Sequence, residues 1–313
     1  MSEIISASRF NEIQGRIASI LGTGSGDKGY NNTVNSKAVP IGDVVEATDI
    51  NLLYDDFEAV YVHQGPDGRA VAILPTEFSR VTTSDLIAAD TTTGLVQLEK
   101  TWGAYESMAT QLETNRFLIA GDQEAIEASG INSSRVSSWG GSGLVQSINH
   151  TFTVNFGTPN ARRGFFNAGG LIQLSARHVH TYTTGDLNYE KNQNWTDILN
   201  NMGTINFGRA ETENGTGTGT GSAIGNLQLT TGYQTVFVKA GTAIYTDNQY
   251  YIQARLANDY TIEFNIVLED GDVGTDGGDE FVLGTTSSFV SHKRADGSYV
   301  TNPAPAYIKT SDL

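Results

Sequence analysis

The sequence predicts a mainly β protein, with a helical N-terminal part ahead of an antiparallel β-sandwich of jelly-roll-like type. Three observations carry this. Apolar residues recur every three to four positions up to about residue 130 and every second position thereafter. The later alternating runs are short and separated by Gly, Asn and Thr clusters, as in sandwiches and barrels. Only 17% of the 313 residues are charged, against about 25% in ordinary usage, so Thr, Asn, Ser and Gly must build much of the surface. The expected division is a helical assembly region over 1–130 and the sandwich over 140–313.

Phe10, Ile13, Ile17 and Ile20 share one helical face, and Gly22 follows as a stop. A second helix is expected from Thr48, its N-cap, with Ile50, Leu53, Phe57 and Val60 aligned. A third covers 98–112 through Leu98, Trp102, Tyr105, Ala109 and Leu112. Between the first two lies the Gly- and Asn-rich loop 22–42. Such stripes bury against one another or against a partner. As a docking face, the expected interface residues are Phe10, Ile13, Ile17, Ile50, Leu53 and Phe57.

Strand alternation is clearest at Ile148/His150/Phe152/Val154/Phe156 and at Tyr260/Ile262/Phe264/Ile266/Leu268. It recurs at Ile172/Leu174/Ala176 and at Tyr250/Ile252/Ala254/Leu256. Shorter strands are expected at 205–207, 227–229, 236–238 and 281–283, with one helix at 195–202. The Thr-Gly stretch 214–225 reads as a flexible hairpin excursion.

Composition excludes several function classes. Lys+Arg 19 against Asp+Glu 35 gives a net charge of −16, which disfavours nucleic acid and anionic membrane surfaces as partners. The absence of Cys removes disulfides, thiolate nucleophiles and Cys-ligated metals. No apolar run reaches the ~18 residues of a membrane span. The first residues lack the basic and apolar regions of a secretory signal, so a protein made and kept in a cytoplasm is expected.

Candidate chemistry is sparse. Gly24-Ser25-Gly26-Asp27-Lys28-Gly29 spells a dinucleotide fingerprint, but a helix precedes it and none follows, so no cofactor is expected. The loop 269–281 holds Asp270, Asp272 and Asp276, oxygen ligands of the type calcium takes, without the EF-hand spacing. His178 and His180 lie on one face of a strand. Two imidazoles do not close a metal site, although a three-fold assembly would bring six to its axis. Neither a Gly-x-Ser-x-Gly elbow nor a His-Glu-x-x-His helix occurs, so no enzyme is expected. Tyr182, Tyr189, Tyr245 and Tyr299 stand outside the alternation and are the expected exposed contact aromatics.

Four stretches carry a resemblance. They are Ile20 to Phe57, with its GxGxGxxGY loop; Ser137 to Ala176, with Ala161-Arg162 before Phe165-Phe166-Asn167-Ala168-Gly169-Gly170; Asn194 to Gly208; and Arg294 to Pro305. Together they resemble virion structural proteins of contractile-tailed phages, in particular those of marine cyanobacteria. The resemblance implies a non-enzymatic tail, neck, baseplate or fibre building block, assembled in the host cytoplasm and resident in the virion. It implies other phage structural proteins and copies of itself as partners, a trimer being favoured. A fibre tip engaging a host surface glycan, or a capsid-surface decoration protein, is the alternative. Phe165, Phe166 and the following glycines are expected to form a tight lead into a strand.

Overall fold

The structure is a computed structural model that describes residues 6–24, 28–65, 80–81, 94–128, 130–141, 143–271 and 280–312. Two compact units emerge. The first comprises Met1–Ala125, Arg163–Gly169 and Arg294–Pro303; the second comprises Ile126–Arg162, Gly170–Lys293 and Ala304–Leu313. The change of periodicity near residue 130 therefore marks the main division. Two short later segments nevertheless belong to the first unit.

Three helices frame that unit: α1 (Ala7–Leu21), α2 (Ala47–Gln64) and α3 (Gly94–Thr114). The Ser6 side chain caps α1 by accepting from the Arg9 amide. Gly22 ends the helix with its N–H on the Ala18 carbonyl, 2.9 Å away. The N-cap of α2 is Glu46, not Thr48, because Asp49 reaches back to accept from the Glu46 amide at 2.9 Å. The stripes meet one another: Phe10 stacks on Trp102 at 6.3 Å and Phe57 sets its edge to Tyr105 at 5.0 Å. Arg16 closes the outside with a two-pronged bond to Glu113, at 2.8 and 3.1 Å.

This corrects the docking expectation. Phe10, Ile13, Ile17, Ile50, Leu53 and Phe57 all lie in one buried cluster with Trp102, Tyr105 and Leu112. The apolar area of these side chains is already removed from water by the chain's own helices, so none remains for a partner.

A short strand, β1 (Glu124–Ile126), carries the chain out of the first unit. The strands that follow are β2 (Ile131–Arg135), β3 (Ser147–Asn155), β4 (Leu171–Val179), β5 (Ile205–Phe207), β6 (Thr212–Asn214), β7 (Thr220–Gly221), β8 (Gln234–Ala240), β9 (Gln249–Asn258), β10 (Thr261–Glu269), β11 (Thr285–Ala295) and β12 (Ala306–Asp312). Two helices interrupt them, α4 (Pro159–Asn167) and α5 (Tyr189–Asn200). One sheet of the second unit runs β2-β11-β4-β5-β6 and the other β12-β3-β10-β9-β8-β7. Strands β3 and β12 pair antiparallel in one sheet, and β4 and β11, the strands that follow β3 and precede β12, pair antiparallel in the other. That paired crossing is the step of a jelly roll. Register places Phe264 opposite both Phe152 and Ala254, with all three side chains buried. The inner faces meet where Phe207 of β5 sets its edge to Phe264 of β10 at 5.1 Å.

Several local expectations fail, each for a physical reason. The segment PNARRGFFN is the helix α4, not a lead into a strand, since Thr158 caps the Ala161 amide and Pro159 suits the first helical position. Residues 227–229 form a turn instead of a strand, and 281–283 contribute only a bridge from Val282 to Trp139. The Thr-Gly stretch is pinned: a Cβ on Gly217 would lie 1.7 Å from the Met202 carbonyl oxygen. Strand β11 carries no apolar alternation because its buried positions are Thr286, Ser287, Ser288, Val290, His292 and Ala295. Thr286 bonds His178 at 2.9 Å, Ser288 bonds His150 at 2.8 Å, and His292 bonds the Tyr307 hydroxyl at 2.5 Å.

Truncating the fully buried Phe57 to Ala should cost roughly 3–5 kcal/mol. Urea unfolding followed by far-UV circular dichroism measures it. A loss below about 1 kcal/mol would show that the helices are held by something other than this cluster.

Candidate functional site

The sequence-derived residues distribute over three places. The first is a groove of about 550 Å³ in the second unit, lined by the chain leaving β4 and by one face of α5. His178, His180 and Tyr182 point to the same side because they alternate along an extended segment. Their rings stack in a row, His178 to His180 at 5.8 Å and His180 to Tyr182 at 6.2 Å. Tyr189, at the start of α5, sets its edge to His180 at 6.1 Å. Gln193, Thr196 and Asn200 follow Tyr189 at helical spacing and complete the wall. In the sequence that stripe is only a run of polar residues at helical spacing, a pattern with no catalytic signature of its own.

His178 does not serve as a metal ligand here. Its Nδ1 meets the Thr286 hydroxyl at 2.9 Å and its Nε2 meets Asn192 Oδ1 at 3.0 Å. Asn192 donates its amide to the Asn188 and Phe281 carbonyls, so its oxygen must be the acceptor facing the ring. Nε2 therefore carries the proton, and Nδ1 accepts from the hydroxyl. Burial pushes this imidazole down from 6.5 to about 4. With both nitrogens engaged, the pair cannot contribute six ligands to a three-fold axis. Among the described residues no group of three or more His, Asp or Glu side chains forms a cation site.

The second place is Asp270. It is buried, forms an ion pair with the equally buried Lys191 at 2.8 Å, and accepts from the Gly141 amide at 2.9 Å. That role replaces the calcium reading for Asp270, since its carboxylate is committed to an ammonium inside the fold. Asp272 and Asp276 lie outside the described residues. Tyr245, expected to be exposed, is buried and donates its hydroxyl to Glu280. Tyr299 is exposed as expected.

The third place is Tyr30, in the first unit. It is fully buried, donates its hydroxyl to the Arg116 carbonyl at 2.6 Å, and accepts from Gln64 Nε2 at 2.8 Å. Its backbone oxygen accepts from Asn302 Nδ2 at 3.1 Å, and the preceding Gly29 oxygen accepts from Asn167 Nδ2 at 3.0 Å. A Cβ on Gly164 would lie 2.5 Å from the Tyr30 oxygen, so only glycine lets α4 approach the loop this closely. His63 sets its ring edge to Tyr30 at 4.8 Å, and burial lowers its pKa to about 4. Burial raises the Tyr30 phenol well above its ordinary range. Residues 25–27 of the Gly-rich motif lie outside the described residues. The described part of the loop returns to cap α1, with the Tyr30 amide on the Ile20 carbonyl.

Two predictions follow from these buried groups. His63 and His178 bind protons more readily unfolded than folded, so the stability tied to their neutral form is intact above pH 6.5. It is lost as pH falls from 6.5 towards 4, by about 2–3 kcal/mol for each ring at pH 4.5. Urea midpoints between pH 7.5 and 4.5 measure this, with His178→Asn expected to flatten the second unit's share; a flat wild-type profile would refute it. Lys191→Met leaves Asp270 as an uncompensated buried charge and should cost about 3–5 kcal/mol, while Lys191→Met with Asp270→Leu recovers most of the loss. The same denaturation measurement decides between them. Compared with protein-family models, with curated proteins and with solved structures, the chain finds no match.

Proposed function

We propose that this chain is a non-enzymatic structural component of a tailed-phage virion, an oligomeric building block of the tail, neck or fibre. One observation carries the reading. Three of the four stretches that resemble such proteins contribute to a single buried junction around Tyr30. Gly29 and Tyr30 come from the first, Gly164 and Asn167 from the second, and Asn302 from the fourth. Residues so far apart in the chain, joined by asparagine side chains bonded to backbone carbonyls and by a close glycine approach, are what a shared scaffold requires, not what a reaction requires. Their resemblance is thus one of architecture.

Contact with neighbours then falls to side chains the fold leaves exposed. In the first unit these include Ile41 and Val44, 78% and 77% exposed, in the loop ahead of α2. Closed symmetric association through such a surface buries them at every copy. The net charge of −16 keeps unassembled copies apart and soluble.

Light scattering behind size-exclusion chromatography tests the proposal. A homo-oligomer is expected, a trimer in the favoured form, and Ile41→Asp with Val44→Asp should shift it towards monomer without loss of helical signal. A wild-type chain that stays monomeric at high micromolar concentration, with no affinity for tail or neck proteins, would overturn it.

A further inference from the structure

We infer that the groove beside α5 binds a neutral saccharide. This goes beyond the assembly reading and does not rest on it, because every residue involved lies in one wall of the second unit.

The first argument is the form of the wall. A pyranose ring presents C–H groups on its faces and hydroxyls around its edge, so it is recognised by an aromatic platform beside groups that both donate and accept. The groove has both. Tyr182 and Tyr189 are half-buried rings whose positions are set by His180, one stacked on it with planes 19° apart and the other edge-on at 68°. His180 is held by these contacts and not by hydrogen bonds, since its Nδ1 is enclosed without a partner. The platform is therefore built in advance of any ligand, which lowers the ordering cost of binding.

The polar side chains are also oriented in advance, and each keeps capacity unspent. Gln193 donates one N–H to Asp197 at 2.9 Å and leaves its oxygen and second N–H. Thr196 donates its hydroxyl to the Asn192 carbonyl at 2.9 Å and leaves its lone pairs. Asn200 accepts from the His178 amide at 3.2 Å through its oxygen and leaves its amine donors. Donors and acceptors thus alternate along α5, as vicinal hydroxyls require.

The last argument is charge. Among the described residues, no Asp, Glu, Lys or Arg lines the groove. An ionic ligand would give up hydration and meet no counter-charge, so phosphorylated, sulfated and carboxylated ligands are disfavoured. Glycoside hydrolysis needs two facing carboxylates, and the described lining supplies hydrogen-bonding amides and hydroxyls instead, the groups of a binding site. Its volume of about 550 Å³ lies within the usual range for small-ligand sites, about 300–1,000 Å³. Repetition in an oligomer would raise a weak single-site affinity through avidity.

Saturation-transfer NMR and calorimetry on the purified full chain test this, with maltohexaose, cellohexaose and mannohexaose as neutral probes and a sulfated heparin hexasaccharide as the charged control. At least one neutral probe should bind. Tyr182→Ala and Tyr189→Ala should each weaken it about tenfold or more, while Tyr182→Phe keeps the platform and stays within about twofold. Gln193→Ala, at a half-exposed position, should weaken binding with the melting curve unchanged. Binding of the sulfated probe alone, no binding of any neutral probe, or neutral binding that survives Tyr182→Ala with Tyr189→Ala would overturn the inference. None of these measurements involves a virion component, so their outcome and that of the assembly test are independent.

Discussion

Tyr30 is the point on which the first unit turns. A phenol with no access to water must find partners for both roles of its oxygen, and here Arg116 and Gln64 supply them. The same residue offers its main-chain carbonyl to Asn302 and its amide to Ile20. One residue, through its side chain and its backbone, thereby joins the end of α1, the C-terminal turn of α2, the residues after α3 and a segment near residue 300. The loop that carries it reads as loose from its glycines and asparagines. Its described part is instead held by named bonds at almost every residue from 29 to 36. Asp56 accepts four of them, from the backbone and side chains of Asn35 and Ser36.

The second unit solves a different problem. Strand β11 is central to its sheet, flanked by β2 and β4, yet it is rich in Ser and Thr. A polar strand inside a sandwich is stable only if each hydroxyl is bonded, since an unpaired buried group costs about 1–3 kcal/mol. Two histidines meet that need, His178 on the neighbouring β4 and His150 on β3 of the other sheet. Both imidazoles are therefore structural partners, and burial holds His178 neutral, which ties the fold's stability to pH and removes His178 from metal chemistry. Lys191 and Asp270 follow the same logic with full charges.

How much was legible in the sequence depended on whether one element could declare itself alone. Helices α1 and α2 and strands β3, β4, β9 and β10 bury apolar residues at their own natural period, so Phe10, Leu53, Phe152 and Phe264 announced themselves. Helix α4 did not, because its helical turn holds two arginines and two adjacent phenylalanines with no repeat to read. Strands β2 and β11 did not, because most of their buried positions are Ser, Thr and His. Of the groove, the His178/His180 pair and the two tyrosines were visible as residue types. Their juxtaposition with Gln193, Thr196 and Asn200 required α5 to be laid beside β4.

By itself the sequence determined the fold class and the exclusion of cysteine chemistry, since composition and periodicity are properties of neighbouring residues. Only the tertiary structure decided where buried polar groups find partners. It turned a docking stripe into a core, a metal candidate into a neutral hydrogen-bonded ring, and an acidic-loop residue into half of an ion pair. The reason is that burial is shared between segments far apart in the chain: a side chain's chemistry is set by what is brought against it, and that is not written at its own position.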